Sequence, residues 1–158
     1  MASFTLKDFQ KIGKTENLPM DWKGQGVSSD SRNFSAGAAF FALRGEKMDG
    51  HDFVKDALAK GASACVVRED WFAAHAAELI GKPLVIVPDT LKALQNLAKN
   101  YRGKFDLSVI AITGSNGKTT CKEMIHAVLS RLFTTLATEG SLNNEDPKST
   151  RLNSSHRL

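Results

Sequence analysis

Short, uninterrupted apolar runs alternating with segments of helical periodicity constrain this chain more than any other feature. Phe40, Phe41 and Leu43 form one strand-like run, residues 64–67 a second, residues 84–87 a third, and Val109, Ile110 and Ile112 a fourth. Runs of that length without polar alternation suit strands buried on both faces, as in a parallel sheet covered by helices. Between them, Phe53, Val54, Ala57 and Leu58 recur at helical spacing, and residues 71–80 read as a surface helix. Residues 90–102 place Leu91, Leu94, Leu97 and Ala98 on one helical face, with Asp89 or Thr90 available as the cap. Near the amino terminus, Phe9 and Ile12 are spaced to meet across one turn of a short helix over residues 4–12. The alternation predicts an α/β fold with a mostly parallel sheet. The Lys82-Pro83 step and the Val87-Pro88-Asp89 turn are the best candidates for a domain boundary.

The fourth run leads directly into Thr113-Gly-Ser-Asn-Gly-Lys-Thr-Thr120, after which Met124, Ile125, Val128 and Leu129 recur at helical spacing. A strand, a glycine-bracketed loop and a helix in that order form the arrangement that cradles nucleotide phosphates. Gly114 and Gly117 let backbone N–H groups close around an anion, Lys118 has the reach for the outer phosphates, and the Thr119 hydroxyl suits Mg²⁺. The general P-loop pattern wants a further glycine five residues before Gly117, where this chain has Ile112, so the match to it is partial. A simple glycine turn that happens to contain a lysine is the competing reading.

Composition narrows the remaining classes. The chain has 158 residues, room for one good-sized domain or two small ones, and its 42% hydrophobic and 24% charged residues are ordinary globular values. Of the formal net charge of +4, half comes from the last thirteen residues, leaving a nearly neutral body with no electrostatic footprint for nucleic acid or a membrane surface. No apolar stretch approaches the roughly 20 residues needed to span a bilayer, and no secretory h-region opens the chain, so the cytoplasm is the expected location. Cys65 and Cys121 stand far apart without CxxC or Cys/His ligand spacing, which favours buried free thiols over a disulfide or zinc site.

Two polar clusters carry candidate chemistry. Ser28-Ser-Asp-Ser-Arg32 gathers three hydroxyls, a carboxylate and a guanidinium, a set suited to a diphosphate or a uridine and equally to a polar turn. His51 follows Asp49-Gly50 where a turn enters a helix. Capping geometry accounts for it better than a role as catalytic base. His75 and His126 have no ligand spacing to each other and nothing recommends them as functional.

The 113–120 loop resembles the ATP loop of the Mur ligases, the family that builds the peptidoglycan precursor peptide. Four further segments resemble, in order, the UDP-sugar-binding amino-terminal domain of that family: Gly26-Val-Ser-Ser-Asp-Ser-Arg32, Ala39-Phe-Phe-Ala-Leu-Arg-Gly45, Asp49-Gly-His-Asp-Phe53 and Ala59-Lys-Gly-Ala62. Lys122-Glu-Met124 and Thr138-Glu-Gly-Ser-Leu-Asn-Asn144 are most similar to the branch that joins D-alanyl-D-alanine to UDP-N-acetylmuramoyl-tripeptide. The branch adding the third amino acid shares the amino-terminal motifs, but the 138–144 segment argues against it. The resemblance covers residues 20–145 and implies a UDP-sugar substrate-binding domain over 1–87 and the start of an ATP-binding central domain over 88–145.

By position, the resemblance implies that Ser29, Ser31 and Arg32 contact the UDP-sugar, with Glu46, Lys47 and Met48 at the uracil and Arg44 less clearly involved. It implies that Gly114, Ser115, Asn116, Gly117, Lys118, Thr119 and Thr120 hold the ATP phosphates. Lys118 would offset charge at the transferred phosphoryl group, Thr119 would help bind Mg²⁺, and Asn143 and Asn144 would face the substrate cleft. The implied reaction transfers the γ-phosphoryl of ATP to the tripeptide carboxylate and uses the acyl phosphate for attack by the D-alanyl-D-alanine amine. The intact enzyme is expected to be a monomer without nucleic-acid or membrane partners. The family's later acidic metal ligand, modified lysine and carboxy-terminal domain are not in this sequence, so the chain alone is not expected to ligate. A natural truncated module that binds UDP-sugar or nucleotide without turnover is the alternative.

After Glu145 the similarity stops. Residues 146–158 are polar and aperiodic, and residues 148–156 can be encoded by a common sequencing-adapter oligonucleotide read in frame. A non-native tail is the expectation, a native disordered one the alternative.

Overall fold

Period-two burial on two faces organises the first part of the computed structural model, which describes residues 2–32, 35–45 and 48–138. The strands β5 (Ala39–Phe41), β6 (Ala64–Arg68) and β7 (Leu84–Val87) turn Ala39, Phe41, Ala64, Val66, Val85 and Val87 to one core and Phe40, Cys65, Val67, Leu84 and Ile86 to another. A strand whose successive side chains are all apolar has no solvent face, so helices must cover both sides. The first core is closed by α1 (Leu6–Gln10) and α4 (Thr90–Arg102), through Leu6, Phe9, Ala93, Leu94 and Leu97. The second is closed by α2 (Val54–Ala59) and α3 (Glu69–His75) with the 3₁₀ turn Ala76–Leu79, through Val54, Ala57, Leu79, Trp71 and Phe72.

The sheet order is β2-β7-β6-β5-β4, with β2 (Lys14–Glu16) antiparallel at one edge and β4 (Val27–Ser28) parallel at the other. Register pairs Phe40 with Cys65 and Val66 with Val85. A separate two-stranded ribbon joins β1 (Ser3–Thr5) to β3 (Lys23–Gln25). The parallel α/β expectation is met. The short polar strands β1 to β4 carry too little apolar pattern to be read from sequence, and β1 takes residues expected to open the first helix.

Two compact units divide after Phe105. Helix α4 packs in the first unit, so the structural division falls later than the 87/88 boundary expected from the proline turns. The reason is the apolar stripe of α4, which is buried on the sheet through Ala93, Leu94 and Leu97. Asp89 caps that helix by accepting a hydrogen bond from the Lys92 amide at 2.9 Å. The second unit contains α5 (Lys118–Leu129) and the segment leading to it. Residues 107–112, expected as a buried strand, form no regular element, and Val109 and Ile110 are exposed. A parallel strand needs a partner on its flank, and the described residues of this unit supply none. Met124, Val128, Leu132, Phe133 and Leu136 are likewise exposed, and α5 buries no residue.

Candidate functional site

Parallel strands deliver their following loops to one edge of a sheet, and in open α/β sheets ligands bind at that carboxyl edge. Here the edge collects residues 29–32 after β4, residues 42–45 and 48–49 after β5, Arg68 at the end of β6 and Asp89 after β7. Ser29 is exposed, whereas Ser31 is buried beneath the loop. The Ser28 hydroxyl donates to the Asp30 carbonyl at 3.1 Å and accepts from the Asp30 amide at 3.2 Å, closing a tight turn. Arg32 donates from Nε and Nη2 to the two Asp30 carboxylate oxygens, both at 3.0 Å, so its guanidinium is already held in a bidentate pair.

The neighbouring loop is pinned at its base. Arg44 and Asp49 form an antiparallel bridge, Gly45 donates to the Met48 carbonyl at 2.9 Å and Gly50 donates to Leu43 at 2.8 Å. A Cβ at Gly50 would lie 2.6 Å from the Leu43 carbonyl oxygen, so only glycine permits this approach. Met48 projects into solvent, 60% exposed. Glu46 and Lys47 lie outside the described residues. Thr90 ties the start of α4 to this edge by donating its buried hydroxyl to the Ala42 carbonyl at 2.9 Å.

His51 belongs to the same edge and is structural. Its side chain is buried, and its Nδ1 lies 2.5 Å from Asp49 Oδ1, which also accepts from the His51 amide at 3.0 Å. Nε2 accepts from the Arg68 amide at 3.0 Å, so the partners dictate the neutral Nδ1–H tautomer. Both nitrogens are occupied, which leaves none for a substrate proton. Burial would raise the Asp49 carboxyl, but hydrogen bonds from the His51 backbone and ring, with the Arg44 charge, hold it below the ordinary aspartate value. His75 stacks on Trp71 at 4.4 Å and bonds the Trp71 carbonyl, as a packing residue does.

The glycine loop lies in the second unit. Gly114 and Gly117 adopt φ of +146° and +78°, values that side-chain-bearing residues rarely take. Gly117 is also the N-cap of α5 and brings no side-chain cap to its first turn. The amides of Lys118, Thr119 and Thr120 therefore point out of the helix start with no intrahelical acceptor, at its positive end. Lys118 folds back over the loop, donating to the Gly114 carbonyl and, at 3.1 Å, to that of Ser115. This set fits a polyphosphate chain: open amides, a helix dipole and one ammonium. Asn143 and Asn144 lie outside the described residues.

A parallel α/β unit with pinned carboxyl-edge loops, followed by an anion-receptive glycine loop opening a helix, defines the class of nucleotide-binding α/β proteins. Comparisons with known proteins refine it. A family profile described as the Mur ligase family, catalytic domain, matches residues 23–102, and the Mur ligase middle domain matches residues 112–157. The second match runs over residues 146–157, where a non-native tail was expected and which lie outside the described residues. The chain belongs to the Mur ligase family.

Among curated relatives, it is 46% identical to the UDP-N-acetylmuramoyl-tripeptide–D-alanyl-D-alanine ligase of Treponema pallidum, over 76% of this chain and 27% of that protein. It is 40% identical to the UDP-N-acetylmuramoyl-L-alanyl-D-glutamate–2,6-diaminopimelate ligase of Clostridium perfringens, over 69% of this chain and 22% of that protein. Among solved structures, MurF from Acinetobacter baumannii aligns with a TM-score of 0.74 and 36% identity, covering 90% of this chain and 31% of the other. MurF from Thermotoga maritima, solved with ADP, aligns at 0.62 and 29% identity, covering 79% and 28%. The chain thus spans between about a fifth and a third of the length of these relatives.

Proposed function

We propose that this chain is the amino-terminal part of an ATP-dependent ligase that joins D-alanyl-D-alanine to UDP-N-acetylmuramoyl-tripeptide in peptidoglycan precursor synthesis. The observation that carries the reading is the presence, in one Mur ligase chain, of a built carboxyl-edge loop pair and an uncapped glycine-loop helix. In this reading the first unit holds the UDP-sugar. Ser29, Ser31 and Arg32 meet the sugar diphosphate and the loop of Glu46, Lys47 and Met48 meets the uracil. Arg32 exchanges Asp30 for the ligand, a bidentate acceptor of the same geometry.

The second unit holds ATP. The amides of residues 114–120 take the phosphates, Lys118 neutralises charge as it develops on the transferred group, and the Thr119 hydroxyl ligates Mg²⁺. Bound ATP supplies the phosphoryl group that activates the tripeptide carboxylate as an acyl phosphate for the D-alanyl-D-alanine amine. Asn143 and Asn144 contribute to substrate binding in this reading. The intact enzyme works as a cytoplasmic monomer, and this chain by itself performs no ligation. No helix among the described residues is long and apolar enough to cross a membrane.

Calorimetric titration of the 158-residue chain with UDP-N-acetylmuramoyl-tripeptide tests the reading. Saturable binding that uridine diphosphate displaces supports it, and the absence of binding at millimolar ligand refutes the role of the first unit. Mg·ATP is expected to bind weakly, because residues 107–112 hang without sheet partners; tight, Mg²⁺-dependent binding by a soluble monomer would contradict that. The 40% identity to a diaminopimelate-adding ligase favours one second reading, a ligase adding the third amino acid. Preference for UDP-muramoyl-dipeptide over the tripeptide would select it.

A further inference from the structure

Lys60, which the Ala59-Lys-Gly-Ala62 segment includes without a stated role, touches the loop proposed to hold the UDP-sugar. Lys60 closes α2, and its ammonium donates to the Ser31 carbonyl at 2.9 Å and to Asp56 Oδ2 at 2.8 Å. Ser31 is 29 residues away in sequence and lies at the other side of a connection that runs through β5. The base of the lysine is fixed by backbone. Gly61 terminates α2 at φ +88°, and its carbonyl accepts from the Gly37 amide at 2.9 Å. The head is fixed by Asp56 one helical turn earlier, an (i, i+4) pair.

We infer that Lys60 is a positioning residue for uridine-diphosphate-sugar binding: a strut from α2 that holds the Ser31 carbonyl and so sets the conformation of residues 29–32. The inference rests on the proposed function, which places the ligand on this loop. Its physical basis is that this bond reaches the turn from outside it, whereas the Ser28–Asp30 and Arg32–Asp30 bonds shape the turn from within. Lys60 supplies a bond from a separate element, and a charged donor holds a carbonyl more firmly than a neutral one. A loop held in its binding geometry before the ligand arrives costs less order on binding. The pair is half exposed, so solvent screens it and its contribution to global stability is small.

The test is calorimetric titration of the 158-residue chain with uridine 5′-diphosphate, paired with thermal unfolding of each variant. Lys60→Met is expected to weaken binding about fivefold to tenfold while the unfolding midpoint moves by no more than about 2 °C. Lys60→Arg, which keeps a donor and a charge, is expected to stay within about twofold of the parent, and Asp56→Asn to fall between. Combining Lys60→Met with Ser31→Ala is expected to cost less than the two losses multiplied, since both act through one loop. Lys60→Met binding as tightly as the parent overturns the inference, as does a loss of affinity in Lys60→Arg equal to that in Lys60→Met. If Lys60→Met does not fold, Asp56→Asn and Lys60→Arg decide the matter by the same comparison. Failure of the unsubstituted chain to bind uridine diphosphate overturns the proposed function itself, and this inference with it.

Discussion

Replacing His51 by alanine separates a structural histidine from a catalytic one. The ring is 2% exposed, accepts the Arg68 amide at 3.0 Å and meets Asp49 Oδ1 at 2.5 Å. Deleting it removes two hydrogen bonds at about 1 kcal/mol each. The buried void left by a five-membered ring adds about 1–2 kcal/mol. The expected loss is about 3–4 kcal/mol, a midpoint drop of roughly 15–25 °C for a unit of this size. Both tryptophans, Trp22 and Trp71, lie in the first unit, and Trp71 sits 5.2 Å from the His51 ring, so denaturant unfolding followed by fluorescence reports the change directly. His51→Gln restores an acceptor near the Nε2 position and is expected to recover about 1 kcal/mol. An alanine variant that unfolds within about 1 kcal/mol of the parent, yet loses uridine-diphosphate binding, would refute the argument and return His51 to the site as a functional group.

Lys118→Met is expected to change stability by less than about 0.5 kcal/mol, because the side chain bonds only exposed loop carbonyls, while Mg·ATP binding weakens tenfold or more in an equilibrium titration. Acid should destabilise the first unit. Burial would raise Asp8 and Asp49, but hydrogen bonds from Lys104 and Thr5 to Asp8, and from His51 to Asp49, hold both carboxyls below the ordinary value of 3.8. Stability from these groups is therefore complete above that value and lost as pH falls through the lowered folded values. Asp49→Asn should flatten the profile measured by unfolding between pH 6 and pH 2. Iodoacetamide at pH 8 should add one group, at exposed Cys121; burial pushes the Cys65 thiol up to about 12, so mass spectrometry should find it modified only in denaturant.

Much of this molecule is legible in its amino acids because its signals are local. The apolar runs read at Phe40, Phe41 and Leu43, at residues 64–67 and at residues 84–87 mark strands buried on both faces, the first ending at Phe41, and the helical stripe of residues 90–102 with Asp89 before it is a capped helix. The glycines of the 113–120 loop are required by backbone dihedrals that can be anticipated from residue type, and the turn that captures His51 is written in Asp49-Gly50. These features depend on the chain within a few residues of themselves.

What tertiary structure decided is where distant segments meet and whether an apolar run finds a partner. No local signal says that the Lys60 ammonium reaches Ser31, that Thr90 reaches Ala42, or that the Arg68 amide reaches His51. The last two contacts exist because parallel strands bring the loops that follow them to a common edge, whereas Lys60 reaches Ser31 from the end of α2. The domain division after Phe105 follows from the burial of α4, not from the proline turns that precede it. Residues 107–112 make the same point in reverse: their composition is that of a buried strand, but strand formation requires backbone partners, and sequence alone can specify the apolar side chains without supplying the neighbour that would bury them.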